Sequence, residues 1–300
     1  MANEYKINAA FVQQFHDTYE LQCQQKESRL QKTVHNRGHI EGESFTINDM
    51  GSVEMRDLGA KFSNTVWDIP DAGVRTALMS DKSLFVPIWN ADVPKLKASP
   101  DDKYMQLILA ARHRKIDDII YQAALAGIPR KTVDDTGVAS TATVQLPSSQ
   151  IIAASATAMT KAKLIKAKSL FRANECDEQN GESLYIVYNA AMLEQLLSDV
   201  TLTSADFMSV KMLQEGALAG KWLGFNWIGY EKLNNGAGGA TERRSAIWTG
   251  TAVHFGDAPI TEFGIGVRED KNRMKQIGGI HSFGAGRANE KKVVAIDFVI

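Results

Sequence analysis

The chain has 300 residues, enough to bury a substantial core as one large or two ordinary domains. Apolar residues make up 44% and charged residues 23%, which excludes a disordered chain. A net charge of −1 excludes a protein that binds polyanions over its whole surface. Cys23 and Cys176 stand far apart in unlike contexts, so a disulfide framework and a zinc knuckle are excluded as well, and a reducing compartment fits. The opening MANEYKINAAF has no signal-peptide pattern, and no apolar run approaches the ~18 residues of a membrane span. The expectation is a soluble chain, intracellular at synthesis, with no membrane partner.

Residues 8–32 read as an amphipathic helix. Val12, Phe15 and Tyr19 share a face, glutamines supply a polar surface, and Lys26, Arg29 and Lys32 close it. With a long non-helical stretch behind it, this helix has little of its own chain to rest on, which suggests an arm packed on a neighbouring subunit.

Residues 33–98 hold no convincing helix. Ser44-Phe45-Thr46-Ile47 and Ser52-Val53-Glu54-Met55-Arg56 alternate as strands with one wet face, and glycines and prolines punctuate them. Such a protruding β-loop needs a cover that the chain itself does not supply.

Residues 99–127 form the clearest long helix. Ser99 is a good N-cap, Pro100 suits the first helical position, and Asp101 and Asp102 complement the dipole. Met105, Ile108, Leu109, Ile116, Ile119, Ile120 and Ala123 make its apolar stripe, with Gly127 as the stop. At 1.5 Å per residue it is roughly 40 Å long, a beam on which other parts are mounted. Its centre, Arg112-His113-Arg114-Lys115, is basic.

After a Thr- and Ser-rich stretch with a strand at 142–146, a second unit begins. Residues 158–176 read as a helix with Met159, Leu164, Ile165 and Phe171 inward and Lys161, Lys163, Lys166, Lys168 and Arg172 mostly outward. A buried strand at 183–188, a helix at 189–197 and a strand at 222–233 follow. A Gly-rich hairpin tip covers 234–240, and a returning strand starts at 245. The tail from 261 is strands, ending in an apolar run that is expected to be tied into a sheet. Helices interleaved with strands make an α+β or α/β layer. No internal repeat or low-complexity tract is present.

Catalytic and ligand-binding motifs are wanting. Gly264-Ile265-Gly266 lacks the third glycine of a dinucleotide fingerprint, and no phosphate-loop, nucleophile-elbow or HExxH pattern occurs. His35 and His39, with Glu41 and Glu43 nearby, are the one histidine pair close in sequence, and Gly38 between them argues against a helical metal site. Asp117 and Asp118 read as helix-surface charges. The basic residues of the beam and of the 158–176 helix read as solvated faces or intersubunit ion pairs. The expectation is therefore no catalytic residue, no cofactor and no metal; an enzyme would need groups converging from far apart, and no such set stands out.

Several stretches, in order over nearly the whole chain, resemble a family of tailed-phage major capsid proteins. These are Phe11-Val12-Gln13-Gln14-Phe15 with Gln24-Gln25-Lys26, then Ala110-Ala111-Arg112-His113-Arg114-Lys115-Ile116-Asp117-Asp118-Ile119-Ile120 on the beam. Lys166-Ala167-Lys168, Ala173-Asn174-Glu175-Cys176-Asp177, Trp222-Leu223-Gly224-Phe225-Asn226-Trp227-Ile228 and Glu290-Lys291-Lys292-Val293-Val294 complete the set. The resemblance implies an α+β fold of the Hong Kong 97 type. Residues 1–32 would be the N-terminal arm, 33–80 the extended loop and 81–150 the peripheral domain with the spine helix at 99–127. Residues 151–255 would be the axial domain, and 256–300 strands returning to the peripheral domain.

It further implies an icosahedral shell of hexamers and pentamers in the virion, built in the host cytoplasm, enclosing non-specifically held double-stranded DNA. Portal protein and, because the arm begins almost at Met1, a separate scaffolding protein would be partners. Phe15, Tyr19, Glu54, Arg56, Lys61, Arg75, Arg112 and Arg114 are the candidate assembly residues. Some relatives cross-link a loop lysine; Lys61 is the candidate here, with no acidic group evident to assist it. A nanocompartment shell of the same fold and a soluble α/β enzyme are the alternative readings.

Overall fold

A computed structural model describes residues 24–57, 59–62, 64–88, 101–134, 136–198 and 221–300. The strands and helices run β1 His35–His39, β2 Ser44–Met50, β3 Ala72–Leu78, β4 Ser80–Ile88, α1 Asp101–Leu125, β5 Ile128–Val133 and β6 Ala139–Val144. They continue as β7 Ile151–Ile152, α2 Lys161–Ala173, β8 Leu184–Tyr188, α3 Ala190–Ser198, β9 Lys221–Trp222 and β10 Phe225–Gly229. The last are β11 Asn235–Gly236, β12 Gly239–Thr249, β13 Val253–Arg268, β14 Met274–Arg287 and β15 Val293–Val299.

Three sheets share these strands. One has the order β1-β13-β14-β4, a second β2-β3-β5-β6, and the third β7-β15-β12-β8-β10-β9 with β11 paired to β12. The third sheet holds the main core. Ile186, Val187, Ala246, Ile247, Trp248 and Val293 to Ile296 are sealed from solvent, and Leu164 and Phe171 of α2 and Met192 and Leu196 of α3 join them. These strands are rich in β-branched and aromatic residues, which suit a pleated surface packed on its faces. The final strand, β15, pairs with β12 and β7 inside this sheet, so only β13 and β14 of the 256–300 segment join the sheet beside α1.

Helix α1 is the beam, 25 residues and about 38 Å long. Ile108, Ile116, Ile120, Tyr121 and Ala124 are buried, whereas Leu109, expected inside, is partly exposed. The helix packs on β13 and β14 and reaches β12 and β15. Tyr121 Oη donates to Arg244 O (2.6 Å) and accepts from Asn234 N (3.0 Å), which ties the beam to the β11–β12 hairpin. At the other end of its last turn, Arg287 Nη1 donates to Ala124 O (3.0 Å) and Ala126 O (2.9 Å). That places a cation at the negative end of the helix dipole.

Several sequence expectations change. Residues 24–30 are irregular rather than helical, followed by a short 3-10 turn at Gln31–Thr33; the rest of the expected first helix lies outside the described residues. Ser52 to Arg56 form no strand, because no second strand lies alongside. The expected 222–233 strand is two strands, broken where Leu223 and Gly224 adopt left-handed φ values of 53° and 80°. On α2, Ile165 is exposed while Lys163 is buried and donates to Ala154 O (2.9 Å), Thr157 O (3.0 Å) and Asp297 O (3.1 Å). A lysine can sit inside when three carbonyls take its three protons.

Candidate assembly surfaces

The ribbon of β2 and β3 pairs from Ser44–Leu78 to Met50–Ala72, and its root is fixed by charge. On β3, Arg75 is only 4% exposed and donates from Nε to Asp49 Oδ2 (3.0 Å) and from Nη2 to Glu290 Oε2 (2.9 Å), with Nη1 on the other Glu290 oxygen. Arg130 of β5 reaches the same Asp49 oxygen (2.8 Å) and Asp71 Oδ2 (3.0 Å). Burial alone would push the Glu290 carboxyl up, but the Arg75 guanidinium holds it below the usual range. A residue without Cβ is needed beside this cluster. A Cβ on Gly73 would lie 2.5 Å from Arg130 Nε and 2.8 Å from Asp49 Oδ1.

Beyond Gly51, whose N donates to Asp71 O (2.7 Å) and closes the neck, the described residues of the loop make no ladder. It instead presents Val53, Met55, Phe62, Val66, Trp67 and Ile69 to solvent, Phe62 at 96% and Trp67 at 82% exposure. Single exposed apolar residues are ordinary, but a run of them on one unpaired loop marks a surface meant to be covered. Polar anchors are sparse there. Arg56 sits 3.5 Å from Asp68 and Lys61 Nζ lies 5.8 Å from the Phe62 ring centre. Glu54 is exposed.

The sequence candidates therefore divide. Glu54, Arg56 and Lys61 are exposed on the loop. Arg75 is not available to a neighbour, because its charge is used inside its own chain; it leaves the set of interface candidates. Arg112 is largely engaged too, 3.1 Å from Asp257 and against the Phe283 ring, while Arg114 is exposed and donates from Nη2 to Gln24 Oε1 (3.4 Å). Phe15 and Tyr19 lie outside the described residues.

Asp117 is not a helix-surface charge. It is fully buried and accepts from Ser28 Oγ (2.6 Å), Leu30 N (3.0 Å) and Arg29 N (3.2 Å), so the beam caps the backbone of the incoming chain. Asp118 instead pairs with Lys115 at 2.6 Å. His35 faces His254, ring centres 4.7 Å apart, and Arg37 Nε donates to His254 Nδ1 (2.9 Å). Burial, then the Arg37 charge, push His254 down to about 4, so it is neutral at pH 7. Among the described residues no group of three or more His, Cys, Asp or Glu is placed to hold a metal.

A family model described as phage capsid protein matches residues 7–300. The chain belongs to the phage capsid protein family. No match is found among curated proteins. Solved structures similar to this capsid protein include one from Mycobacterium phage Che8, at 16% identity and TM-score 0.66, covering 95% of this chain and 96% of that one. The capsid of Ralstonia phage GP4 aligns at 8% identity and TM-score 0.69, over 96% and 94%. The cyanophage Pam1 capsid aligns at 13% identity and TM-score 0.66, over 100% and 99%.

The fold is thus the Hong Kong 97 type, and the function is that of a major capsid protein of tailed phages, a structural subunit of a self-assembling shell. This favours neither the nanocompartment nor the enzyme reading. Subunits of a self-assembling shell can carry surfaces that only another copy covers. Sequence reasoning missed Asp49, Arg130, Glu290, Arg287 and Asp117, all of which work through partners distant in the chain.

Proposed function

We propose that this capsid protein assembles through hexamers and pentamers into an icosahedral shell around packaged double-stranded DNA, in the host cytoplasm, with a scaffolding protein and a portal protein as partners. The apolar side chains of the unpaired loop carry this reading. They give each subunit a surface that is stable only against a neighbour, with Glu54, Arg56 and Lys61 as the charges that set register at its rim and Arg114 as a separate exposed charge on α1. The arm at 1–32, the loop at 33–80 and the peripheral and axial domains (81–150 and 151–255, with 256–300 shared between sheets) are the parts this assembly uses. The DNA is held without sequence preference, in keeping with a net charge near zero and no stretch of sequence that interleaves basic residues with aromatics.

The test is the content of particles purified by antibody against this chain and treated with nuclease. Protected double-stranded DNA of uniform length supports the reading. Particles that contain an enzyme and no DNA contradict it.

A further inference from the structure

Among the described strands that end a sheet, most carry a feature that discourages pairing with another chain. Strand β1 has Arg37, β2 has Asp49, β4 has Asp81, Lys82 and Pro87, and β9 has Lys221; β7 and β11 are two residues long. Strand β6 is the exception. Its six residues, Ala139 to Val144, include no charge and no proline, its one partner is β5, and Ala139 to Thr143 are exposed. Val133 and Val138, where the β5–β6 hairpin turns, are exposed as well.

We propose that β6 pairs antiparallel with β6 of a second copy across a two-fold axis, making one continuous eight-stranded sheet from two subunits. A second copy is the fitting occupant because self-pairing of this strand opposes no like charges, and because a closed shell of one kind of subunit sets identical edges face to face on its two-fold axes. The ladder also restricts the register. Directly opposed residues of an antiparallel pair both point their backbone groups at the partner or both away from it, so two identical strands pair about a residue and not between two. With Ala142 on the axis, Thr141 opposes Thr143 twice and Ser140 opposes Val144. Cross-strand threonine pairs are among the favourable ones. A contact of six residues a side is small, and its strength comes from repetition over the shell. The inference rests on self-assembly and goes beyond it by naming the edge that joins.

The experiment assembles the Ala142→Cys chain, oxidises the particles and separates the chains under denaturing, non-reducing conditions. Cys176 is buried, and the unsubstituted chain sets the background. The expected result is a reducible dimer far above that background, since residues opposed across a ladder stand within disulfide reach. Dimers from Thr141→Cys instead would move the axis by one residue and support the same edge. Intact particles with no dimer from either variant would overturn the proposal. If the unsubstituted chain makes no particles either alone or with scaffolding protein, the capsid reading fails first, and this pairing, which needs copies side by side, fails with it.

Discussion

Arg75 and Glu290 stand 215 residues apart in the chain and meet in a two-point ion pair, Nη2 to Oε2 at 2.9 Å, with side chains 4% and 14% exposed. Asp49 and Arg130 extend the pair across three strands, and Arg287, bonded to the end of α1, lies 3.4 Å from Glu290. The root of the loop and the end of the beam are therefore one electrostatic unit. Glu290→Ala leaves buried Arg75 with only Asp49, a carboxylate it shares with Arg130, and is expected to cost up to about 3–5 kcal/mol in a denaturation experiment on the subunit.

The same pair sets an acid limit. Because the Glu290 carboxyl is held low when folded, its stabilisation is complete above the unfolded value of about 4.3. It is lost as pH falls through the lower folded value. Thermal melts between neutral and acid pH should therefore fall more steeply for the wild type than for Glu290→Gln.

Asp117 joins the incoming chain to the middle of α1. Asp117→Ala would leave Ser28 Oγ and two backbone N–H groups without their acceptor, at a cost of about 3 kcal/mol. Hydrogen exchange should quicken at Arg29 and Leu30 while β12 and β15 keep their protection. Unchanged exchange at those two amides would show that the contact does not hold the segment.

Gly278 lies where β14 meets β4, and a Cβ there would stand 2.1 Å from Leu84 O. The clash is with backbone, which a side-chain rotation cannot relieve. Gly278→Ala should destabilise the subunit by about 1–3 kcal/mol and expose the β4 amides to exchange.

The loop should behave in the opposite way. Phe62→Ser and Trp67→Ser remove side chains that touch little in one copy, so subunit stability should change by less than about 0.5 kcal/mol. Shell yield should nevertheless drop. Replacing Glu54, Arg56 and Lys61 together by Ala should lower yield further at low salt than at high salt, because exposed charges are screened. Equal yields for all variants would place the neighbour's contact elsewhere.

Periodicity made α1, α2, α3 and the apolar last strand readable in advance, since each signal lies within one stretch of chain. The 52–56 segment shows what periodicity omits. It alternates like a strand, yet a strand needs a partner, and none lies beside it among the described residues. Lys163 and Asp117 look like surface charges by type and spacing. What reverses them is three carbonyls in one case and a loop's N–H groups in the other, supplied by residues up to 134 positions away. Arg75 was legible as a charge on the loop but not as a buried one, because its partner Glu290 belongs to the far end of the chain. The protruding loop, by contrast, was legible from its glycine and proline punctuation and its want of a helical period.

The most direct test of the whole account is negative-stain microscopy with sedimentation of the purified chain at moderate salt, alone and with scaffolding protein from the same phage. The account predicts capsomer rings or closed shells in at least the second condition. A chain that stays a monomer or small oligomer in both would contradict it.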